Sequence, residues 1–177
     1  MPPTNTSAVQ VSAVEGSTSD IDLVSFDGTV IRVRWFPLPT ATTQEPAPTV
    51  LMGSGWSLSG DTAVDSVGIL GVLGISALRQ SGCNVLTWDP RGFGKSTGVA
   101  QVNSKDFEAG DVRQLLDWVA TQPAAQLDSK RNPRVGMVGG SSGCSALRQA
   151  QLRRSGLVCF SWARRISESD HCPNAHH

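Results

Sequence analysis

The sequence has no histidine before residue 171 and no excess of charge of either sign. Lys and Arg together number 15, as do Asp and Glu, so the formal net charge is zero. That balance excludes the basic surface that nucleic acid would require, and there is no acidic block. Long apolar runs are also missing. The longest window, Val64 to Leu78, contains Asp65 and is too short to span a bilayer, so no membrane partner is expected. The N-terminus has neither the charged region nor the apolar region of a secretion signal, and a cytoplasmic location is expected. Cysteine is sparse. Cys83 stands alone until Cys144, and Cys144, Cys159 and Cys172 lack zinc-type spacing. No disulfide framework, no metal site and no cofactor is expected.

What is there begins with size. A chain of 177 residues, 39% hydrophobic and 17% charged, can build one domain with a real core. Residues 1–20 are rich in Ser, Thr, Pro and Ala without periodicity and read as a flexible lead-in. Ile21 to Phe26 alternates, Asp27-Gly28 is a turn signal, and Thr29 to Phe36 alternates again, which predicts an antiparallel hairpin. In the second arm Val30, Arg32, Arg34 and Phe36 fall on one side, and Ile31, Val33 and Trp35 on the other. Thr49 to Met52 predicts a central strand entering the Gly/Ser-rich loop Gly53–Gly60. Asp61 to Gln80 is read as a helix, although Gly68, Gly71 and Gly74 each cost it roughly 1 kcal/mol against alanine. Asn84 to Trp88 is the next strand. Ser104 to Ala120 is read as a helix capped by Ser104, with Val112, Leu115, Leu116 and Val119 as its apolar face. Asp111 and Asp117 are read as solvated charges or local partners. Gln122 to Asn132 is a connection, and Pro133 to Val138 a strand. Strands alternating with helices predict the α/β class: a hairpin, then a mainly parallel sheet with crossover helices.

Two glycine-rich stretches invite chemistry. Gly94-Lys95-Ser96 suggests a phosphate loop, but that loop needs glycine five residues before Gly94, where Asp89 stands. The second stretch is Val135-Gly136-Met137-Val138-Gly139-Gly140-Ser141-Ser142-Gly143, an apolar run entering Gly-x-Ser-x-Gly. Glycines on either side of Ser141 permit a sharp turn where neighbouring backbone leaves no room for side chains. The serine is then held exposed at the end of a buried strand, as in the nucleophile elbow of an α/β-hydrolase.

From the hairpin to the elbow, about residues 20–143, the chain resembles the N-terminal half of an α/β-hydrolase. It is most similar to the branch that holds Xaa-Pro dipeptidyl-peptidases and cocaine-esterase-like acyl hydrolases. The resemblance rests on the order of the Asp27-Gly28 hairpin, the Gly55-Trp56 loop, Asp89-Pro90-Arg91-Gly92-Phe93-Gly94-Lys95-Ser96, the Asp111-to-Trp118 helix, Thr121-Gln122-Pro123 and the elbow. The eight residues from Asp89 match the family's Asp-x-Arg-Gly-x-Gly-x-Ser loop. The resemblance implies Ser141 as nucleophile and an oxyanion hole built from the backbone N–H groups of Ser142 and Trp56. It also implies an ester or amide substrate and an acyl-enzyme intermediate. Ser54 stands where many relatives carry histidine before the loop glycine. Asp89 and Arg91 are read as holding their loop together.

After Gly143 the pattern stops and the composition changes. Residues 144–177 hold three of the four cysteines, all three histidines and five arginines without a lysine. A shifted reading frame gives such a composition, so residues 21–143 are read as the hydrolase portion and 144–177 as an atypical tail, the product of a frameshift or a truncated gene model, with a genuine variant tail as the alternative. Within it, residues 145–154 suggest a short helix and Leu157 to Trp162 a strand. In this fold the acid and the histidine follow the serine on later loops. Asp170 and His171 are adjacent in a polar tail and do not suit that geometry. The expectation is a serine hydrolase impaired by the missing acid and base; the alternative is a non-catalytic, truncated hydrolase fragment whose open sheet edge favours aggregation.

Overall fold

The computed structural model describes residues 19–55, 57–66, 73–102, 104–139 and 159–161. The predicted hairpin is formed by β1 (Ser19–Val24) and β2 (Val30–Phe36), antiparallel, with Val24 opposite Val30. The connection spans five residues, more than the Asp-Gly pair alone suggests. Ser25 N–H donates to Thr29 O, Gly28 N–H donates to Ser25 O, and the Asp27 carboxylate accepts from Thr29 N–H. Gly28 takes φ +86°, the left-handed region that favours glycine. β3 (Thr49–Gly53) and β4 (Asn84–Trp88) are parallel, with Gly53 level with Trp88. β7 (Val135–Gly139) lies parallel on the other side of β3, with Gly53 level with Gly139. Before it, β5 (Leu127–Ser129) and β6 (Asn132–Pro133) form a small separate hairpin that occupies the end of the predicted connection and takes Pro133 from the predicted strand. β8 (Cys159–Ser161) pairs parallel with β7, within the stretch Leu157 to Trp162 expected as a strand. The main sheet therefore runs β1-β2-β4-β3-β7-β8.

Period-two alternation sorts the sheet's side chains onto two faces. Ile31, Val33, Trp35, Leu51, Leu86, Trp88, Val135 and Met137 share one core with helix α2 (Glu108–Val119). Phe36, Met52 and Val85 share the other with helix α1 (Ile75–Gln80), through Ile75 and Leu78. The side assignment made for β2 holds: Phe36 goes to one core, and Ile31, Val33 and Trp35 to the other. On α2 the predicted stripe Val112, Leu115, Leu116 and Val119 is at most 1% exposed. Full burial of such side chains stabilises by roughly 1.5–3 kcal/mol each.

Both helix predictions need correction. The helix expected from Asp61 is not helical over Asp61–Ser66, and its described helical part is Ile75–Gln80. The backbone at the start is engaged elsewhere: Thr87 Oγ donates to Asp61 O at 2.7 Å, and Ser66 N–H closes a turn onto Ala63 O. Gly74, extended at φ −94° and ψ 172°, precedes the helix. The second helix starts at Glu108, four residues after Ser104. There the Glu108 carboxylate reaches back to the N–H groups of Gln101 (2.6 Å) and Ser104 (2.8 Å), fixing the entry loop before helical bonding begins. Residues 1–18 and the helix suggested over residues 145–154 lie outside the described residues. Among the described residues no helix is long and apolar enough to cross a membrane.

Buried Asn84 fastens the amino ends of the strands. Its Nδ2 donates to Ala47 O (2.9 Å) and Ala124 O (2.8 Å), and its Oδ1 accepts from Leu38 N–H (2.8 Å).

Glycine spacing gives a contrast that can be measured. A Cβ on Gly60 would sit 2.7 Å from the Trp88 carbonyl oxygen and 2.8 Å from its nitrogen. Backbone cannot swing aside, so Gly60→Ala should destabilise by roughly 1–3 kcal/mol. Among the described residues a Cβ on Gly136 meets only Val50 Cγ2, at 3.9 Å, and Gly136→Ala should be neutral or mildly stabilising. Urea midpoints read the difference; equal midpoints for the two variants would contradict this packing.

Candidate active site

The parallel register brings three loops to one edge. Gly53, Trp88 and Gly139 end β3, β4 and β7 at the same level, since Gly53 is the partner of both others. The loop after Gly53 carries Trp56, the loop after Trp88 carries Asp89 and Arg91, and Ser141 follows two residues after Gly139. β3 leads to α1 on one face of the sheet and β4 leads to α2 on the other, the arrangement that opens a crevice at the carboxyl edge of an α/β sheet. Ser141, Ser142 and Trp56 themselves lie outside the described residues.

The loop around Trp56 is tied on both sides. Ser54, buried, donates its hydroxyl to Leu58 O at 3.0 Å, and Leu58 N–H donates to Gly55 O at 3.2 Å. Ser57 is held at φ +62°, a conformation side chains other than glycine seldom adopt. The loop returns at Gly60, whose N–H donates to Asp89 Oδ1 at 2.9 Å.

Asp89 is fully buried and would be costly there without compensation. Arg34 Nη1 donates to Oδ1 at 2.8 Å, and Lys95 N–H donates to Oδ2 at 2.8 Å. Burial pushes the Asp89 carboxyl up, but Arg34 and the N–H groups of Lys95 and Gly60 outweigh it, and the net shift is down. Arg34 Nε lies 3.2 Å from Asp20 Oδ1, an ion-pair distance without hydrogen-bond alignment. Gly94, at φ +57°, passes so close to the Asp89 carboxylate that no side chain would fit. The Gly-Lys-Ser segment thus wraps the protein's own carboxylate, so the amide that would face a phosphate is already occupied.

Arg91 builds a second buried network. Its Nε and Nη2 donate to the two oxygens of Asp111, each at 2.7 Å, and its Nη1 donates to Asp27 Oδ2 at 2.9 Å. Ser25 donates its hydroxyl to Asp111, and the guanidinium carbon lies 5.1 Å from the Phe107 ring centre and 5.7 Å from that of Phe26. The Asp111 carboxylate, then burial working against it, then Asp27 set the Arg91 guanidinium, whose net shift is upward. The reading of Asp89 and Arg91 as loop-holding residues agrees with these bonds. Asp111, read as a solvated charge or a local partner, is instead buried and bonded to partners distant in sequence, Arg91 and Ser25. Arg34 was missed as a partner of Asp89. Its position on a strand gave its side, and no local signal gave the 55-residue separation of that pair.

The architecture has solved counterparts. An α/β hydrolase from Penicillium sp. sh18, GrgF, superposes with a TM-score of 0.62 at 18% identity over 82% of this chain and 45% of its own. An esterase from Pyrococcus furiosus gives 0.58 at 21% identity, covering 80% of this chain and 48% of its own. A CocE/NonD family hydrolase from Staphylococcus aureus gives 0.55 at 19% identity, covering 74% and 24%. At these identities the likeness establishes the fold, that of the α/β hydrolases. Residues 27–170 match the family model described as X-Pro dipeptidyl-peptidase (S15 family), and the chain belongs to that family. The match continues past Gly143, where the sequence resemblance was drawn to a close, and includes β8. No curated protein matches the sequence. The chain spans less than half the length of each of the three structures above.

The Arg91 network carries a pH prediction. Asp27, hydrogen-bonded by Arg91 against a smaller desolvation effect, has its carboxyl lowered from 3.8 to about 2. Above 3.8 the group is ionised in both folded and unfolded chains. Between there and about 2 only the unfolded chain takes up the proton, so this contribution to stability is lost as pH falls through that window. Acid titrations followed by circular dichroism should show a shallower loss of stability in Asp27→Asn than in the parent over that window. Parallel curves would contradict the pairing.

Proposed function

We propose that the chain is the nucleophile-bearing part of a serine hydrolase that cleaves ester or amide bonds through an acyl-enzyme. Ser141 is the nucleophile, and the backbone N–H groups of Ser142 and Trp56 form the oxyanion hole. The observation that carries the reading is the level ending of β3 and β7: Gly53 is the partner of Gly139, and these two strand ends are the ones that precede Trp56 and Ser141 in the sequence. Membership of the S15 family supports it.

In the reaction, Ser141 Oγ attacks the substrate carbonyl carbon while a base removes the hydroxyl proton. The carbonyl oxygen becomes an oxyanion, which two preorganised donors stabilise. Collapse expels the alcohol or amine, which takes up a proton, and water then hydrolyses the acyl-serine. Histidine performs the proton transfers in this fold. Here His171, His176 and His177 come late in the sequence, and we propose that this chain alone is impaired for want of a placed acid and base. A triad without its members keeps only roughly 10³–10⁴-fold acceleration over water.

Supplying the base from solution tests both parts. Hydrolysis of a p-nitrophenyl ester by the folded chain should be weak alone and should rise with added imidazole, and Ser141→Ala should remove the increment above the reaction of free imidazole. Strong Ser141-dependent turnover without imidazole would overturn the impairment. Absence of any Ser141-dependent turnover from folded protein would overturn the hydrolase reading in favour of a non-catalytic fragment.

A further inference from the structure

We propose that Asp89, with Arg34 as its counter-ion, is a positioning residue for the oxyanion loop: its carboxylate fixes where the Gly53–Gly60 loop returns and thereby where that loop's backbone N–H can meet developing negative charge. The proposal rests on the functional reading above, with Trp56 as one oxyanion donor.

The loop leaves β3 at Gly53, whose position the sheet fixes from both sides through Trp88 and Gly139. Its other end is not part of any strand and needs a different anchor. Gly60 supplies the contact points: its N–H donates to Asp89 Oδ1 at 2.9 Å, and its carbonyl accepts a longer bond, 3.4 Å, from Arg34 Nη1. Gly60 also lies against the Trp88 backbone at distances that exclude a Cβ. One residue on, Asp61 O accepts from Thr87 Oγ at 2.7 Å. Thr87 and Trp88 at the end of β4, with Asp89 directly after them, thus hold the consecutive residues Gly60 and Asp61 where the loop returns.

Between the two anchors the Ser54 hydroxyl spans to Leu58 O, and Ser57 sits in the left-handed region. A strained backbone of this kind persists only when its surroundings over-determine it. An oxyanion donor displaced by a fraction of an ångström loses most of its advantage, because preorganisation is what makes such donors effective. Asp89 can hold such a loop because it is buried, ionised and bonded on both oxygens, and it cannot rotate without leaving a donor unpaired. Its bond to Lys95 N–H also ties the loop's return to the segment after β4, so the two loops are fixed against one carboxylate.

The test uses the full chain and two readouts. In Asp89→Asn, hydrogen exchange followed by NMR should speed at least tenfold at the Gly60 and Lys95 amides, while Leu51 and Leu86 in the central strands keep their protection. The Ser141-dependent, imidazole-supported kcat should fall at least tenfold with KM unchanged. Arg34→Lys, which keeps the charge but not the forked geometry, should show a smaller change in the same direction at both readouts and decides the matter if Asp89→Asn does not fold. Unchanged exchange at Gly60, or faster exchange spread evenly over the sheet, would overturn the proposal. Loosening at Gly60 with kcat intact would reduce Asp89 to a structural clamp and equally overturn it. If the parent chain shows no Ser141-dependent turnover, the hydrolase reading fails, and the exchange data still decide whether Asp89 holds the loop.

Discussion

The constraint on which the rest depends is the parallel pairing of β3 with β4 on one side and β7 on the other. β3 is flanked on both sides, so its end at Gly53 cannot shift without breaking two ladders at once. A slip of one residue would also reverse every side chain between the two cores. Leu51 would leave the α2 face and Met52 the α1 face, although both are almost fully buried where they are. Burial of apolar side chains thus fixes register, and register fixes where three loops emerge. The chemistry is proposed for those loops, but its geometry originates in the packing beneath them.

Buried charge at that edge is matched pair by pair. Asp89 and Asp111 are both buried, and each faces an arginine: Arg34 for the first, Arg91 for the second. Buried ions weaken a fold unless each is paired and hydrogen-bonded, and removing one partner typically costs roughly 3–5 kcal/mol. These two pairs join elements far apart in sequence. Arg34 brings the hairpin to β4, while Arg91 joins the hairpin turn, through Asp27, to α2. Gly110 completes the second junction, since a Cβ there would run into the Phe26 ring that faces Arg91. Two arginines therefore hold the antiparallel hairpin against the parallel part of the sheet.

Much of the fold was legible in the sequence. The alternation of β2 gave both faces correctly because a hairpin arm is a local object, and Asn84–Trp88 was bounded by turn residues on both sides. The α2 stripe was legible for the same reason. The start of α2 was not, because Glu108 bonds to Gln101 and Ser104 instead of letting Ser104 begin the helix. The helix expected from Asp61 was overextended because Asp61 O accepts from Thr87, a partner on β4. Of the site, the Asp89-to-Ser96 loop was recognised as a motif, but the motif did not disclose that Arg34 and Gly60 complete it. Such partners are separated by tens of residues and become neighbours only when the sheet forms. Ser141, Ser142 and Trp56 were named from sequence pattern and resemblance.

The most direct test of the central claim is to find where an electrophile lands. A fluorophosphonate reacts when a serine oxygen attacks phosphorus and fluoride departs, leaving an oxygen–phosphorus bond. Peptide mass spectrometry of the folded chain, treated with imidazole present, should place the adduct on Ser141, and Ser141→Ala should remain unlabelled. Labelling of another residue, or none in folded protein over the time that labels an active serine hydrolase, would contradict the account.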